Sequence, residues 1–172
     1  MKDEILNIYK TFNGKKGLSI ATVIATISLI SAFMLEKYAG FKPCALCWTQ
    51  RWIFFAFILA SIPMLIKFPV SKTPKIACTA LLGTISIFGI GVALRHIYVI
   101  FRPPAESCGF GPDMLFQMLP FQDAILEFLK GSPGCSDVDN ILGLPIPFWS
   151  LMLFTLIGII SLVSIMKNGK NS

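Results

Sequence analysis

Pro43-Cys44-Ala45-Leu46-Cys47-Trp48-Thr49-Gln50-Arg51-Trp52 runs directly into Ile53-Phe54-Phe55-Ala56-Phe57-Ile58-Leu59-Ala60. Two thiols three residues apart therefore open an apolar run long enough to cross a bilayer. A hydrocarbon core of about 30 Å takes roughly 20 helical residues. Three further runs meet that length. The predicted membrane helices cover about 18–35, 46–66, 76–96 and 147–166 of a chain of 172 residues. The chain is 55% hydrophobic and 14% charged, with a mean hydropathy of +0.73. Soluble domains carry about a quarter charged residues. The expected class is an all-α integral membrane protein, a single domain over 1–172. It is a four-transmembrane-helix bundle with one long loop, about 102–146. The first run is read as a retained helix rather than a cleaved leader, because it is long for a signal peptide and no small-x-small site follows Leu35.

The net charge of +6 is read as topology, with no nucleic acid as partner. Nine of the fifteen basic residues fall on one side: Lys2, Lys10, Lys15 and Lys16, then Lys67, Lys72 and Lys75, then Lys167 and Lys170. The positive-inside rule then puts both termini and the loop between the second and third helices in the cytoplasm. Cys44, Cys47, Cys108 and Cys135 fall on the opposite, oxidising face, where disulfides persist. Cys78 lies near the far end of the third helix and reads as a small buried apolar residue.

A Cys-x-x-Cys pair serves metal chelation, haem attachment or thiol exchange. Residue 48 is Trp, which excludes the haem-attachment pattern. Structural zinc uses two close cysteine pairs, whereas 26 residues separate Cys108 from Cys135, so no metal is expected. A non-catalytic protein stapled by two inert disulfides, or by zinc, is the bland alternative. Pro43 marks the start of the second helix. Thiols at a helix N-terminus feel its positive end, which favours thiolate. Arg51 follows Cys47 by four residues and shares its face. It suits an anionic sulfur or an anionic ring oxygen, or else it anchors the helix to headgroups. His96 lies about 20 residues along the third helix, roughly 30 Å at 1.5 Å per residue, level with Cys47. It lines a redox site or sits as a polar residue in the interface. Trp48, Trp52, Tyr98 and Trp149 form an aromatic belt at that level, or part of a ring-binding pocket. In the long loop, Leu115, Met118, Leu119, Phe121, Ile125, Phe128 and Leu129 recur at helical spacing. They predict a short amphipathic helix on the membrane surface or packed on the bundle. No nucleotide-binding motif occurs, so a lipid-phase quinone is the natural electron acceptor.

Pro43-Cys44-Ala45-Leu46-Cys47 with Arg51, the Arg95-His96 pair, Cys108 and Cys135 in the long loop, and Leu142-Gly143-Leu144 before Pro147 and Trp149 together resemble the DsbB family of bacterial disulfide bond formation proteins. The resemblance spans essentially the whole chain. It implies a thiol:quinone oxidoreductase of the bacterial inner membrane that reoxidises a DsbA-like periplasmic thiol oxidase and reduces ubiquinone or menaquinone. By that resemblance, Cys108 forms the mixed disulfide with the partner, and Cys135 pairs with it and bridges to Cys44. Cys47 faces the quinone with Arg51, and His96 lines the site. A vitamin K epoxide reductase relative is disfavoured by the order of the cysteines. One departure shows: Ser136 to Ile141 contains no tryptophan, although many family members carry one there.

Overall fold

The structure is a computed structural model, and it describes residues 15–41, 43–67, 71–102, 117, 120–131, 135–136 and 140–167. Cys108, Leu115, Met118 and Leu119 lie outside the described residues, as do Lys2, Lys10 and Lys170 and the side chains of Phe121 and Phe128. The elements are α1 (Lys15–Ala39), α2 (Ala45–Ile66), α3 (Lys72–Phe101), α4 (Phe121–Lys130), β1 (Asn140–Ile141), β2 (Leu144–Pro145) and α5 (Ile146–Lys167). Helices α1, α2, α3 and α5 are long and apolar enough to cross a membrane, so the chain is a multi-pass membrane protein. They outrun the apolar runs that predict them, most of all α3. Lys72, Lys75, Arg95 and His96 interrupt the hydropathy of α3 without offering the backbone any alternative to helix.

The four long helices pack as a ring, in the order α1, α2, α3, α5 and back to α1. The short links α1–α2 and α2–α3 reverse the chain, and α5 runs antiparallel to α3, with Gly83 opposite Leu162 and Gly89 opposite Phe154. Hence the end of α1, the start of α2, the end of α3 and the start of α5 meet at one end of the bundle. Gly40, at φ +70°, stops α1 in the left-handed conformation that glycine takes without penalty. The chain then turns back into Pro43-Cys44.

Lipid tails are as apolar as leucine, so helix association here rests on close packing and buried polar contacts. The Thr22 hydroxyl donates to Ser61 Oγ at 2.9 Å between α1 and α2. Phe154 of α5 is fully buried and stacks on Phe54 of α2 at 4.1 Å. Gly89 of α3 admits that ring, since a Cβ there would sit 2.6 Å from Phe154 Cδ1. The ring is held from its other face and has nowhere to go. Gly89→Ala is therefore expected to destabilise the bundle by about 1–3 kcal/mol, the usual cost of overpacking. Thermal unfolding in detergent checks this, with Gly91→Ala as the comparison, because a Cβ at Gly91 meets nothing within 4 Å. Equal melting temperatures for the two variants would remove the packing argument.

Helix α4 is the described part of the amphipathic stretch. Ala124 is buried and Leu129 packs against the core, while Ile125 and Leu126 stay exposed. It touches α2, so the helix docks on the bundle.

Candidate active site

Cys44 is the residue before the first turn of α2, with extended backbone (φ −77°, ψ 175°). Its carbonyl accepts from Trp48 N–H at 3.1 Å, while its side chain makes no capping bond. The thiol is thereby left for other partners. It donates to Cys47 Sγ at 3.6 Å and lies 3.6 Å from His96 Nε2. It also hydrogen-bonds the Cys135 thiol. Those two thiol contacts, Cys135 first and Cys47 second, and then burial, hold the Cys44 thiol well above the ordinary thiol range. Cys44 thus keeps its proton and offers it to Cys47. Cys44, Cys47 and Cys78 are free thiols.

His96 is fully buried. The Gln50 amide donates to its Nδ1 at 3.3 Å, which leaves the ring proton on Nε2, facing Cys44. The ring also donates to the Cys135 backbone carbonyl. One histidine therefore ties α2 and α3 to the segment that delivers Cys135. That segment is anchored just upstream. Arg95 donates to the Lys130 carbonyl from Nε at 3.2 Å and from Nη2 at 3.0 Å. Gly131 follows at φ +84°, and a Cβ there would lie 2.8 Å from Leu46 Cδ1. Only glycine suits that backbone geometry and that closeness together. The Arg95-His96 pair thus has two tasks, docking the loop and touching the thiols.

Arg51 is 9% exposed. Its Nη1 donates to Glu36 Oε2 in an ion pair, and its Nη2 donates to the Ala32 carbonyl at 3.0 Å. The guanidinium lies over the rings of Phe33 at 4.8 Å and Trp48 at 5.4 Å. A charge inside a membrane span is expensive and is held by partners of this kind. Arg51 is therefore a compensated cation at the end of the bundle, which goes beyond a headgroup anchor. Glu36 and Gln50 carry weight that the sequence reading did not give them. The one available signal is that an arginine within a span demands an acid at a similar depth.

A cavity of about 350 Å³ opens beside Cys47 between α1, α2 and the start of α5. Its wall is mostly apolar, with Leu35, Phe54 and Leu153 joined by Gln50, Arg51 and Trp149. Trp149 donates to the Ile141 carbonyl at 3.2 Å, which ties α5 to the β1–β2 hairpin. The turn of that hairpin is Leu142-Gly143, both at positive φ (54° and 81°), as a two-residue turn of this hand requires. Leu142 takes a conformation that costs a branched residue of the order of 1 kcal/mol, and it stands on the cavity wall. Trp52 and Tyr98 are more than half or half exposed and fit the belt reading, whereas Trp149 belongs to the pocket. Cys78 lies far along α3 from this end, as expected, but is only half-buried rather than buried.

A dithiol that meets another thiol on one flank and an apolar cavity on the other can exchange a disulfide and hand on the electron pair. Set in a four-helix membrane bundle, it defines an integral-membrane thiol–disulfide oxidoreductase. The family described as Disulfide bond formation protein DsbB matches residues 15–164, and the chain belongs to that family. It is similar to the disulfide bond formation protein B of Alkalilimnicola ehrlichii, with 34% identity over 88% of this chain and 93% of that protein. The protein of the same name from Acinetobacter baumannii is also 34% identical, over 85% of this chain and 86% of its own length. That of Methylococcus capsulatus is 34% identical over 78% and 84%. No solved structure matches the chain.

Proposed function

We propose that the chain reoxidises a DsbA-type dithiol oxidase at the periplasmic face of a bacterial inner membrane and delivers the electron pair to ubiquinone or menaquinone in the cavity beside Cys47. The carrying observation is that Cys44 faces Cys135 and His96, while Cys47, 3.6 Å away, lines the cavity. One dithiol thus has an entry side and an exit side. The orientation rests on the excess of basic residues at the opposite end of the bundle.

A partner thiolate attacks a Cys108–Cys135 disulfide at Cys108 and releases Cys135 as thiolate. The partner's second thiolate then attacks the mixed disulfide, and the partner leaves oxidised. Cys135 attacks Cys44 of a Cys44–Cys47 disulfide and releases Cys47. Cys108 resolves the Cys135–Cys44 bridge, so the loop disulfide returns and the electron pair rests on Cys44 and Cys47. The hydrogen bond between Cys44 and Cys135 supports the bridging step.

A quinone fits the cavity by chemistry. The wall offers apolar area for a ring and tail, and polar groups for carbonyl oxygens at Arg51, Gln50 and Ser150. Arg51 spends one N–H on Glu36 and one on Ala32, leaving others of its five to donate inward. When bound, a quinone supplies a two-electron, two-proton acceptor for restoring the Cys44–Cys47 disulfide. Such an acceptor is needed because DsbA-type oxidases sit near −120 mV, too oxidising for a thiol pool to regenerate.

The test uses the full chain in detergent with a reduced DsbA-type partner and a soluble quinone. One pair of partner thiols should disappear per quinone consumed, and without quinone none beyond the two equivalents that the enzyme's own two disulfides can take. Partner oxidation that ignores quinone would reject this reading.

A further inference from the structure

The geometry points to a second use of the same thiols: when Cys44 and Cys47 are both reduced, they and His96 form a binding site for a thiophilic d10 cation of the Zn2+ class. That the bound ion holds the enzyme in an off state rests on the relay proposed above; the binding itself does not.

Cys44 Sγ, Cys47 Sγ and a ring nitrogen of His96 all lie within 4.8 Å of one another. Zinc takes sulfur at about 2.3 Å and imidazole nitrogen at about 2.0–2.1 Å in a tetrahedron. Those bond lengths require ligand-to-ligand edges of about 3.8 Å between two sulfurs and about 3.6 Å between sulfur and nitrogen. The corresponding separations here are 3.6 Å for Cys44–Cys47 and 3.6 Å for Cys44–His96. Two edges of the coordination polyhedron are thus set by the helices themselves. Two thiols and an imidazole are also the donor types that zinc selects over water. The Cys135 thiol, buried and bonded to Cys44, stands beside the cluster as a candidate fourth donor.

The outer contacts suit the same assignment. A metal-bound imidazole almost always has its second nitrogen engaged, which fixes the ring. Gln50, 3% exposed, holds Nδ1 at 3.3 Å. With a cation on Nε2 the ring proton moves to Nδ1, and the Gln50 amide turns to accept it through oxygen. Binding moves protons but no electrons: each thiol that ligates releases one proton to solvent.

The site exists in one redox state only. A Cys44–Cys47 or Cys44–Cys135 disulfide consumes the electron pairs that would bind the cation. Metal and oxidant therefore compete for the same two sulfurs. The wide spacing of Cys108 and Cys135, which disfavours a four-cysteine zinc site, has no bearing here, because the third ligand, His96, comes from α3.

The experiment compares two samples of the full chain in detergent under anaerobic conditions, one reduced with a phosphine and freed of it, the other oxidised with a soluble quinone. If quinone fails to oxidise the thiols, which would count against the relay alone, a chemical disulfide-forming oxidant prepares the second sample. Zn2+ is titrated against a chromogenic chelator, and Co2+ serves as the optical probe. The reduced protein should bind one equivalent, and its Co2+ form should show the sulfur-to-cobalt charge-transfer band of tetrahedral thiolate ligation. The oxidised protein should bind at least about tenfold more weakly. Cys47→Ser and His96→Ala should each weaken binding by at least about tenfold, and Gln50→Leu by about tenfold, as for an outer contact. Cys78→Ser should change nothing. With reduced enzyme alone, Zn2+ should slow oxidation of the thiols by soluble quinone, and chelator should restore the rate. Absence of stoichiometric binding, or equal binding by reduced and oxidised wild type, overturns the site. Oxidation by quinone at an unchanged rate with the ion bound overturns the off state.

Discussion

Cys47→Ser is expected to stop quinone-linked turnover altogether, a loss of at least about 10³-fold, because among the described residues Cys47 is the one thiol on the cavity wall. The form of the failure is more informative than its size. Cys108 and Cys135 are untouched by the substitution, so the enzyme should still oxidise one equivalent of reduced partner in a single burst and then halt. Rapid mixing with partner in several-fold excess, with and without a soluble quinone, reads both phases. A normal burst followed by silence places the block between the inner dithiol and its acceptor. Continued turnover would show that electrons reach the acceptor without Cys47. That result would undo the division of labour drawn from the 3.6 Å pair, in which Cys44 faces Cys135 and Cys47 faces the cavity.

That division was only half legible in the chain itself. The four spans can be read because each is an unbroken apolar run, and the Cys-x-x-Cys pair is local. The height of His96 follows from helix rise alone. Rotation about the helix axis does not follow. In a soluble protein the apolar stripe tells which face turns inward. Here both lipid and core are apolar, and the long helices are hydrophobic all round, so facing is decided by ring order and close packing. For this reason the contacts of His96 with Cys44 and Gln50, and of Arg51 with Glu36, needed the fold. Arg51 and Glu36 are separated by a turn and a change of helix, and nothing local pairs them. Trp149 shows the same limit. Its level marks it for the interface, but only the docking of the Leu142-Gly143 hairpin turns it into a cavity wall.

The docking of the loop is likewise a product of packing. Arg95 grips the Lys130 carbonyl, Gly131 fits against Leu46, and four residues later Cys135 meets Cys44. The Cys135 thiol, which bridges to Cys44 in the proposed relay, is thus brought in by contacts from α2 and α3. An exchange site needs this combination of a rigid half, Cys44 and Cys47 at a helix start, and a delivered half. In the proposed relay, reaching the inner disulfide moves the Cys135 segment rather than the bundle.

Arg51→Met should separate the two ends of the relay. Methionine preserves apolar volume but removes every donor the guanidinium aims at the cavity. A hydrogen bond from a charged donor is worth about 1.5–3 kcal/mol, so the KM for quinone should rise by about 10- to 100-fold. The burst of partner oxidation should keep its amplitude and rate, because Arg51 lies away from the Cys44–Cys135 contact. Glu36→Gln then tests the ion pair from its other partner. The amide still accepts from Nη1, so Arg51 keeps its place, but its charge is no longer balanced. A cation that acts on the acceptor should then act more strongly, and the KM for quinone should fall or stay level while Arg51→Met raises it. Glu36 is about one-third exposed, so solvent screens the pair and the stability loss should stay at or below about 1 kcal/mol. Opposite directions for the two variants identify Arg51 as a donor to the acceptor site and Glu36 as the group that restrains it. A shared rise in KM with a shared fall in melting temperature would instead reduce the pair to a strut between α1 and α2, and the polar part of the cavity would then rest on Gln50 and Ser150.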